Sequence, residues 1–285
     1  MEAVSAVKMR KGQERALSGR SYAAAALSVL ERVAGATDTK RHPLMQEVSG
    51  TGKTCFIVIT SDKGLAGSLN SGVIRRVEKE LLERTLSKDD LILIAVGRRC
   101  GDLFANRRYS VMKRYENVSD DISEGEIRDI TAKVIELHAK GEIGTCFVAY
   151  QNFLSTFEQQ PVVRQIVPIT PQLIRDMVAG IRPARGKYAP QQGEALLQRP
   201  AAYTIEPDAE TVLAELLPRL LNIAIFHAFL ESKASEHSAR MVAMKSATDK
   251  AKEMAQTLTR KFNRVRQAAI TREVSEITSG IEAMR

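Results

Sequence analysis

Apolar positions recur with a helical period through the last quarter of the chain, beginning near Asp208. Neither glycine nor proline occurs between Arg219 and Ser279, and about sixty residues rising about 1.5 Å each would make a rod of roughly 90 Å. Helices of globular proteins usually run about 8 to 20 residues, so a longer pattern indicates a coiled coil, a membrane span or a repeat. Because the chain has no run of about 18 consecutive apolar residues, we expect no helix that spans a bilayer. The pattern predicts a coiled-coil helix over residues 208–285.

The apolar stripe of this helix alternates steps of four and three residues, as in a heptad repeat. Small residues are common in the stripe, and His227, His237 and Thr248 interrupt it. Its positions are 223, 227, 230, 234, 237, 241, 244, 248, 251, 255, 258, 262, 265 and 269, followed by 270, 274, 277, 281 and 284. The slip of one residue after 269 means that the last turns face different surroundings from the turns before them.

The first 35 residues predict a partner for the long helix. Residues 1–33 contain good helix formers and no proline, while Gly12 and Gly19 each cost about 1 kcal/mol relative to alanine. The helix is expected to stop near Gly35. A long isolated helix buries little apolar surface and needs a partner along its stripe. We therefore expect the two terminal helices to pair antiparallel.

The middle of the chain switches to continuous apolar runs bounded by turn residues, which are typical of parallel strands covered on both faces. These runs are CFIVIT at 55–60, LILIAVG at 91–97 and TCFVAY at 145–150. Helical patterns lie between and beside them, at about 69–86, 98–106 and 123–140. The alternation predicts a small, open, Rossmann-like α/β sheet.

Two further features complete this middle part. A strand pair is expected at about 152–168 with its turn at Glu158–Pro161, and the glycines and prolines of residues 177–200 predict an exposed loop. The fold class is therefore α/β, with a long antiparallel coiled coil of the N- and C-terminal helices added to a small open domain. The predicted domains are the N-terminal helix at 1–35, the α/β domain at 36–207 and the long helix at 208–285.

Composition narrows the possible functions. The 285 residues are 44% hydrophobic and 27% charged, which is ordinary for a soluble protein. Three cysteines without CxxC spacing and four histidines without paired-ligand spacing predict buried thiols and no metal site. The net charge of +8 suggests an acidic partner, which could be nucleic acid, an anionic membrane or a protein surface. Five basic residues and no acid lie between Gln256 and Arg272.

Two short motifs are similar to phosphate-binding turns. GTGKT at 50–54 has Glu47 where a phosphate-binding loop needs glycine, and its strand follows the motif, so we expect a flexible turn before Cys55. SDKGLAGSLN at 61–70 follows a strand and opens a helix near Leu69, where backbone N–H groups could hold an anion. It lacks GxGxxG spacing, which favours a tight strand-to-helix turn over a ligand site. Because no nucleophile and base pair and no carboxylate pair can be singled out, we expect no catalytic residue and no cofactor.

Five stretches of the sequence resemble one known family, the γ subunit of F-type ATP synthases. SEHSARMVAMKSATDKAKEM at 235–254 and NRVRQAAITREVSEITSG at 263–280 closely resemble its C-terminal signature. SDKGLAGSLN, VKMRK at 7–11 and YTIEPDAE at 203–210 are similar to further marked stretches. The resemblance covers nearly the whole chain.

The resemblance implies a non-catalytic rotor subunit, the central stalk of a proton-translocating complex. The coiled coil would be a shaft inside a ring of α and β subunits, and the α/β domain would sit with the ε subunit on the c ring. Torque from the c ring would drive each β subunit through states of different nucleotide affinity. The implied location is the cytoplasmic face of a bacterial inner membrane, with membrane contact only through the complex. No nucleic acid is implied as a partner.

The resemblance also implies twelve contact residues for the β subunit. The upper shaft would contribute Arg266, Gln267, Thr271, Glu273 and Glu276. The lower contacts would come from Lys8, Arg10, Lys11, Arg240, Met241, Met244 and Lys245. We expect these contacts to be individually weak and exposed, because a bearing surface must slide.

Three expectations accompany this interpretation. Family members usually begin with roughly twenty further residues, about 30 Å of helix, so this chain is expected to start inside the N-terminal helix. The alternative function is a basic coiled-coil protein that binds nucleic acid or acts as a scaffold, which the charge of +8 suggests. A third candidate, a P-loop nucleotide hydrolase, is opposed by Glu47.

Overall fold

The structure is a computed structural model that describes residues 3–12, 14–15, 25, 29, 33, 42–46, 52–120, 124–170 and 205–284. The chain divides into two units, Met1–Met241 and Val242–Arg285. The first unit contains the sheet, its helices and the first part of a long C-terminal helix, and the second consists of the later part of that helix. The three predicted domains, 1–35, 36–207 and 208–285, stay a prediction.

Five strands form one sheet in the order β3-β2-β1-β4-β5. They are β1 (Lys53–Ile59), β2 (Leu91–Val96), β3 (Val111–Tyr115), β4 (Ile143–Phe153) and β5 (Gln159–Val167). The first four strands run parallel, and β5 pairs antiparallel with β4. The helices between the parallel strands are α1 (Leu69–Glu83), α2 (Arg98–Asn106) and α3 (Glu124–Ala139). The predicted open α/β sheet is confirmed.

The continuous apolar runs form strands that are buried on both faces. Every residue of β2 and every residue of β1 after Lys53 is buried. On one face, the ring of Phe56 stacks on Phe147 with centroids 5.2 Å apart, in a cluster that α1 and α2 complete. On the other face, Ile57 and Val148 lie in a cluster with α3 and the long helix. Two-sided burial explains why these runs do not alternate apolar and polar residues.

The strand pair turns earlier than the sequence predicted. The loop lies at 154–158, where the Leu154 N–H donates to the Glu158 carbonyl, so the placement of the turn at Glu158–Pro161 is wrong. Pro161 lies inside β5, opposite Gln151. Because β5 is an edge strand, the missing N–H of Pro161 is tolerated there. The predicted loop at 177–200 falls outside the described residues.

The long helix α4 runs from Ala209 to Ala283 as one element of 75 residues. The Asp208 carboxylate caps it by accepting hydrogen bonds from the backbone N–H and the hydroxyl of Thr211, both at 2.8 Å. An 18-residue window of α4 reaches a mean hydropathy of 1.5, so by length and composition this helix could cross a membrane, contrary to expectation. Half of that window is buried inside the protein, and packing in the core accounts for its apolar character.

The described residues of the N-terminal segment, 3–12, 14–15, 25, 29 and 33, are helical, and some of them pack against other parts of the first unit. Ser5 and Val33 are buried, and Val33 belongs to the core cluster that includes Leu217 and Phe229 of α4. A Cβ atom on Gly12 would lie 3.6 Å from the Cα and Cβ atoms of Ala234. Gly12 therefore lies against Ala234, while Lys8, one turn earlier in the N-terminal helix, shares Asp120 with His237, one turn later in α4, which is the order that an antiparallel pair requires.

Candidate functional site

The loops at the carboxyl ends of the parallel strands surround one stretch of α4, residues 227–238, which we call the buried polar segment. All twelve of its residues are buried, although most are polar or charged. The polar members are His227, Glu231, Ser232, Lys233, Ser235, Glu236, His237 and Ser238. Ligands of open α/β sheets usually bind at this edge, where the strand order reverses. Here a helix of the same chain occupies it.

Hydrogen bonds to backbone carbonyls satisfy several of these buried groups. The Ser235 hydroxyl donates to the carbonyl of Gln151 in β4 at 3.1 Å, and the Ser238 hydroxyl donates to the carbonyl of Thr156 at 2.5 Å. The Lys233 ammonium donates to the carbonyl of Val118 at 3.1 Å. Buried polar groups are costly without such partners, so these bonds fix one rotational setting of α4 in the domain.

Asp120, in the loop after β3, joins the two terminal helices. Its carboxylate lies 2.7 Å from the Lys8 ammonium and 2.9 Å from Nε2 of His237, with the Lys233 ammonium at 4.0 Å. Burial raises the pKa of Asp120, but the hydrogen bond from Lys8 and the charge and hydrogen bond of His237 outweigh it, so that the pKa falls to about 2. The carboxylate is therefore charged at neutral pH.

The turn SDKGLAGSLN contacts α4 at Arg240, just after the buried polar segment. It leads directly into α1 at Leu69, as predicted, and the backbone N–H of Ser61 donates to the side-chain oxygen of Asn70 at 3.0 Å. The Gly64 carbonyl accepts a hydrogen bond from Arg240 at 3.4 Å. These contacts favour the tight turn over a ligand site, since the loop is closed by its own side chains and by α4.

In the GTGKT motif, close packing against the backbone requires glycine at position 52. A Cβ atom on Gly52 would lie 2.4 Å from the backbone nitrogen of Gly144, closer than atoms can approach. The strand β1 begins at Lys53, inside the motif and two residues before the predicted start at Cys55, so Lys53 and Thr54 belong to the strand and not to the expected turn. Gly52 therefore marks a close backbone approach beside β4, and its neighbours at 47–51 lie outside the described residues.

The predicted contact residues of the first unit differ in their exposure and in whether they form ion pairs within the chain. Lys8 pairs with Asp120, Arg10 pairs with Glu14 at 3.3 Å, and Lys11 is exposed. The side chain of Arg240 is 11% exposed and donates to the Glu236 carboxylate at 2.7 Å. Arg240 thus departs from the expected exposure, because it is engaged within the chain. Met241 is half-buried.

The predicted contact residues of the second unit lie on an exposed helix. Met244 is half-buried, and every described residue from 245 to 284 is exposed. The exposed set includes Lys245, Arg266, Gln267, Thr271, Glu273 and Glu276. The apolar stripe is exposed as well, at 63% for Leu258, 64% for Phe262 and 60% for Val265. No described residue of the chain covers this stripe.

The cysteines belong to the core, as predicted. Cys55, Cys100 and Cys146 are all buried and free. Cys55 and Cys146 pair directly across β1 and β4, which the sequence could not predict without the strand register. Burial raises the pKa of Cys100 to about 11, so its thiol stays protonated at neutral pH. Among the described residues, no group of three histidines, cysteines or carboxylates could hold a metal ion.

Sequence reasoning missed Asp120 and misjudged two histidines. Asp120 lies in an acidic, turn-like stretch, SDDISEGE at 119–126, in which no pattern marks one carboxylate as buried. His227 and His237 were expected to be imperfections of a heptad stripe, yet they belong to a segment that is buried on every side. The enclosing loops explain the difference, because a helix surrounded by backbone carbonyls needs donors and not only apolar contacts.

Comparisons with known proteins agree on one family. A family model described as ATP synthase matches residues 1–284. The ATP synthase gamma chain of Pelotomaculum thermopropionicum is 42% identical over 284 residues, covering 100% of this chain and 92% of the relative. The ATP synthase gamma chain of Heliobacterium modesticaldum is 40% identical over 286 residues, with the same two coverages.

Solved structures resemble the fold. A chain from the central stalk and c-ring structure of the Tetrahymena thermophila mitochondrial ATP synthase matches with a TM-score of 0.60 and 22% identity, over 87% of this chain and 97% of that one. A chain of the Euglena gracilis mitochondrial ATP synthase rotor matches with a TM-score of 0.53 and 14% identity, over 94% and 98%. Because the sequence identities are 22% and 14%, these two matches show similarity of fold alone.

Proposed function

The chain belongs to the γ family of F-type ATP synthases, whose members are non-catalytic rotor subunits of the central stalk, and we propose that its second unit turns inside a ring of α and β subunits. The observation that carries this proposal is the exposed apolar stripe of residues 242–285. A helix of this length with exposed leucine, phenylalanine and valine side chains needs an apolar partner. A ring that encloses the helix would provide one.

The change of stripe after Ala269 would make the shaft asymmetric. A slip of one residue moves the stripe about 100° around the helix, so that successive levels of the shaft present apolar side chains in different directions. Each angle of the shaft would then favour a different conformation of the β subunit that faces it. A rotor can only shift the conformations of its partners through such differences in contact free energy.

The positive charge of the second unit also favours a surrounding ring of α and β subunits as its partner. The basic residues between Gln256 and Arg272 lie on the exposed helix without a neighbouring acid in that stretch. Acidic loops of a surrounding ring would be attracted to them, while each exposed pair would stay weak enough to exchange during rotation. The twelve contact residues, from Lys8 to Glu276, remain our proposed bearing on the β subunit.

The remaining partners follow from family membership. We propose that the first unit binds the ε subunit and the c ring, and that the complex lies on the cytoplasmic face of a bacterial inner membrane. Binding to nucleic acid, the alternative from charge alone, is not favoured by any of the related proteins. The chain would contact the membrane only through the complex.

Reconstitution with purified α and β subunits tests this function. The wild-type chain should form a stable complex with them and stimulate ATP hydrolysis. A variant with Leu258, Phe262 and Val265 all changed to serine should lose the complex while its own unfolding is unchanged, because those side chains are exposed.

The matched control replaces Gln256, Thr259 and Asn263 with serine, at positions of the same turns that lie outside the apolar stripe. It should assemble like the wild type. The proposal fails if the wild-type chain neither binds nor stimulates hydrolysis, or if both triple variants assemble equally well.

A further inference from the structure

We infer that Asp120 locks both terminal helices to the sheet domain, so that torque on the domain passes into the shaft without slip. This inference rests on the proposed rotor function and assigns a positioning role within it. Asp120 lies in the loop between β3 and α3, far in sequence from both helices. Its partners Lys8 and His237 belong to the two ends of the chain.

The arrangement of contacts opposes rotation of α4 within the domain. His237 and Lys233 are four residues apart, so both project from one side of the helix toward the Asp120 carboxylate. Turning α4 by one residue would carry both side chains about 100° away from it. Lys8 holds the same carboxylate from the N-terminal helix at 2.7 Å. A slip of either helix therefore breaks a charge-assisted hydrogen bond.

Lys233, Ser235 and Ser238 also hold the rotational setting of α4 through bonds to backbone carbonyls, and Asp120 adds the contact that both terminal helices share. Ser235 and Ser238 donate to backbone carbonyls through hydroxyl groups that can rotate to new acceptors. Charge-assisted bonds are shorter and roughly twice as strong as neutral ones. The His237 side chain is only 7% exposed, so water screens its bond to Asp120 poorly.

The exposure of Asp120 makes it possible to test whether this residue positions the helices or only stabilises the fold. The Asp120 side chain is 36% exposed, so a neutral amide at this position keeps access to water and can still accept a hydrogen bond from His237. Replacing Asp120 with asparagine keeps the shape of the side chain but removes its charge. The fold should then persist, while the restraint between the helices and the domain weakens.

The test uses the complete complex in membranes of a bacterial host whose own γ subunit has been deleted. ATP hydrolysis and ATP-driven proton pumping are measured for the wild type, D120N, D120E and D129N. Asp129 is the control, since it forms an ion pair with Lys113 at 2.5 Å in the same domain, on a more exposed surface where its described hydrogen-bond partners belong to neither terminal helix. Thermal unfolding of each isolated chain is measured in parallel.

We expect D120N to lower the ratio of protons pumped to ATP hydrolysed by about twofold or more, because part of the torque is lost as slip. D129N should keep the wild-type ratio, and D120E should lie between. Equal ratios for D120N and D129N would overturn the inference, as would a parallel loss of pumping and hydrolysis with lowered thermal stability. If the wild-type chain itself supports no pumping, the rotor function fails instead.

Discussion

Gly12 of the N-terminal helix lies directly against Ala234 of α4, and a Cβ atom on Gly12 would be 3.6 Å from the Cα and Cβ atoms of Ala234. Two small residues thus let the two helix backbones approach closely, next to Lys233 and its contacts with the sheet domain. A methyl group fits at this distance as an ordinary van der Waals contact, whereas we expect a longer side chain to crowd the Ala234 turn.

Substitutions at Gly12 should therefore have effects of opposite sign. G12A should stabilise the chain by about 1 kcal/mol, because alanine has the higher helix propensity. G12L should destabilise it by about 1 to 3 kcal/mol through overpacking. Thermal unfolding of the isolated chain measures both. G280L is the control, since a Cβ atom on Gly280 meets nothing within 4 Å; equal effects of G12L and G280L would contradict the close helix contact.

His138, at the end of α3, should make stability depend on pH. It is buried, and neither ring nitrogen has a hydrogen-bond partner among the described residues. Burial lowers the pKa of His138 below 6.5, so the unfolded chain binds a proton more readily than the folded one. Its contribution is fully present above the unfolded pKa of 6.5 and is lost as pH falls toward the lower folded value.

The variant H138M should remove part of this dependence. Urea unfolding at about pH 8 and about pH 5.5, on either side of the ordinary histidine pKa, gives the free energy of unfolding for both proteins. The loss of stability between the two pH values should be smaller for H138M than for the wild type. The same loss in both proteins would show that His138 does not titrate on unfolding.

The sequence predicted correctly those elements whose structure depends mainly on the burial of their own apolar residues. Continuous apolar runs gave three of the parallel strands, and α2 begins and ends at the predicted residues, 98 and 106. The strand β3 was missed because VMKRY is a polar, largely exposed edge strand whose order depends on its pairing with β2. The five residues of β3 therefore do not by themselves predict a strand, because the pairing with β2 is what orders them.

The candidate site was harder to predict for a related reason. The signature residues around Arg240 were found by resemblance, but their engagement with the Glu236 carboxylate and the Gly64 carbonyl depends on loops that are distant in sequence. Asp120 gains its role only because the fold brings it between Lys8 and His237. Contacts between remote segments leave no periodicity that a single sequence could reveal.

Gly97, between β2 and α2, should tolerate no side chain. Its φ is +98°, and a Cβ atom there would lie 2.2 Å from the Thr60 carbonyl oxygen. Gly141 also has positive φ, +71°, but open space around it. We expect G141A to cost about 1 to 2 kcal/mol from backbone strain alone, and G97A to cost more because of the added clash. Chemical denaturation of the two variants measures this, and equal costs would argue against the close approach.

Rotation of the shaft can be observed directly. Because the three native cysteines are buried, the variant D89C would offer one reactive thiol at an exposed position of the sheet domain. A bead is attached there, the α and β subunits are fixed to a surface, and ATP is added. The rotor function predicts continuous rotation of the bead in one direction. Sustained ATP hydrolysis by the assembled complex with a stationary bead would contradict it.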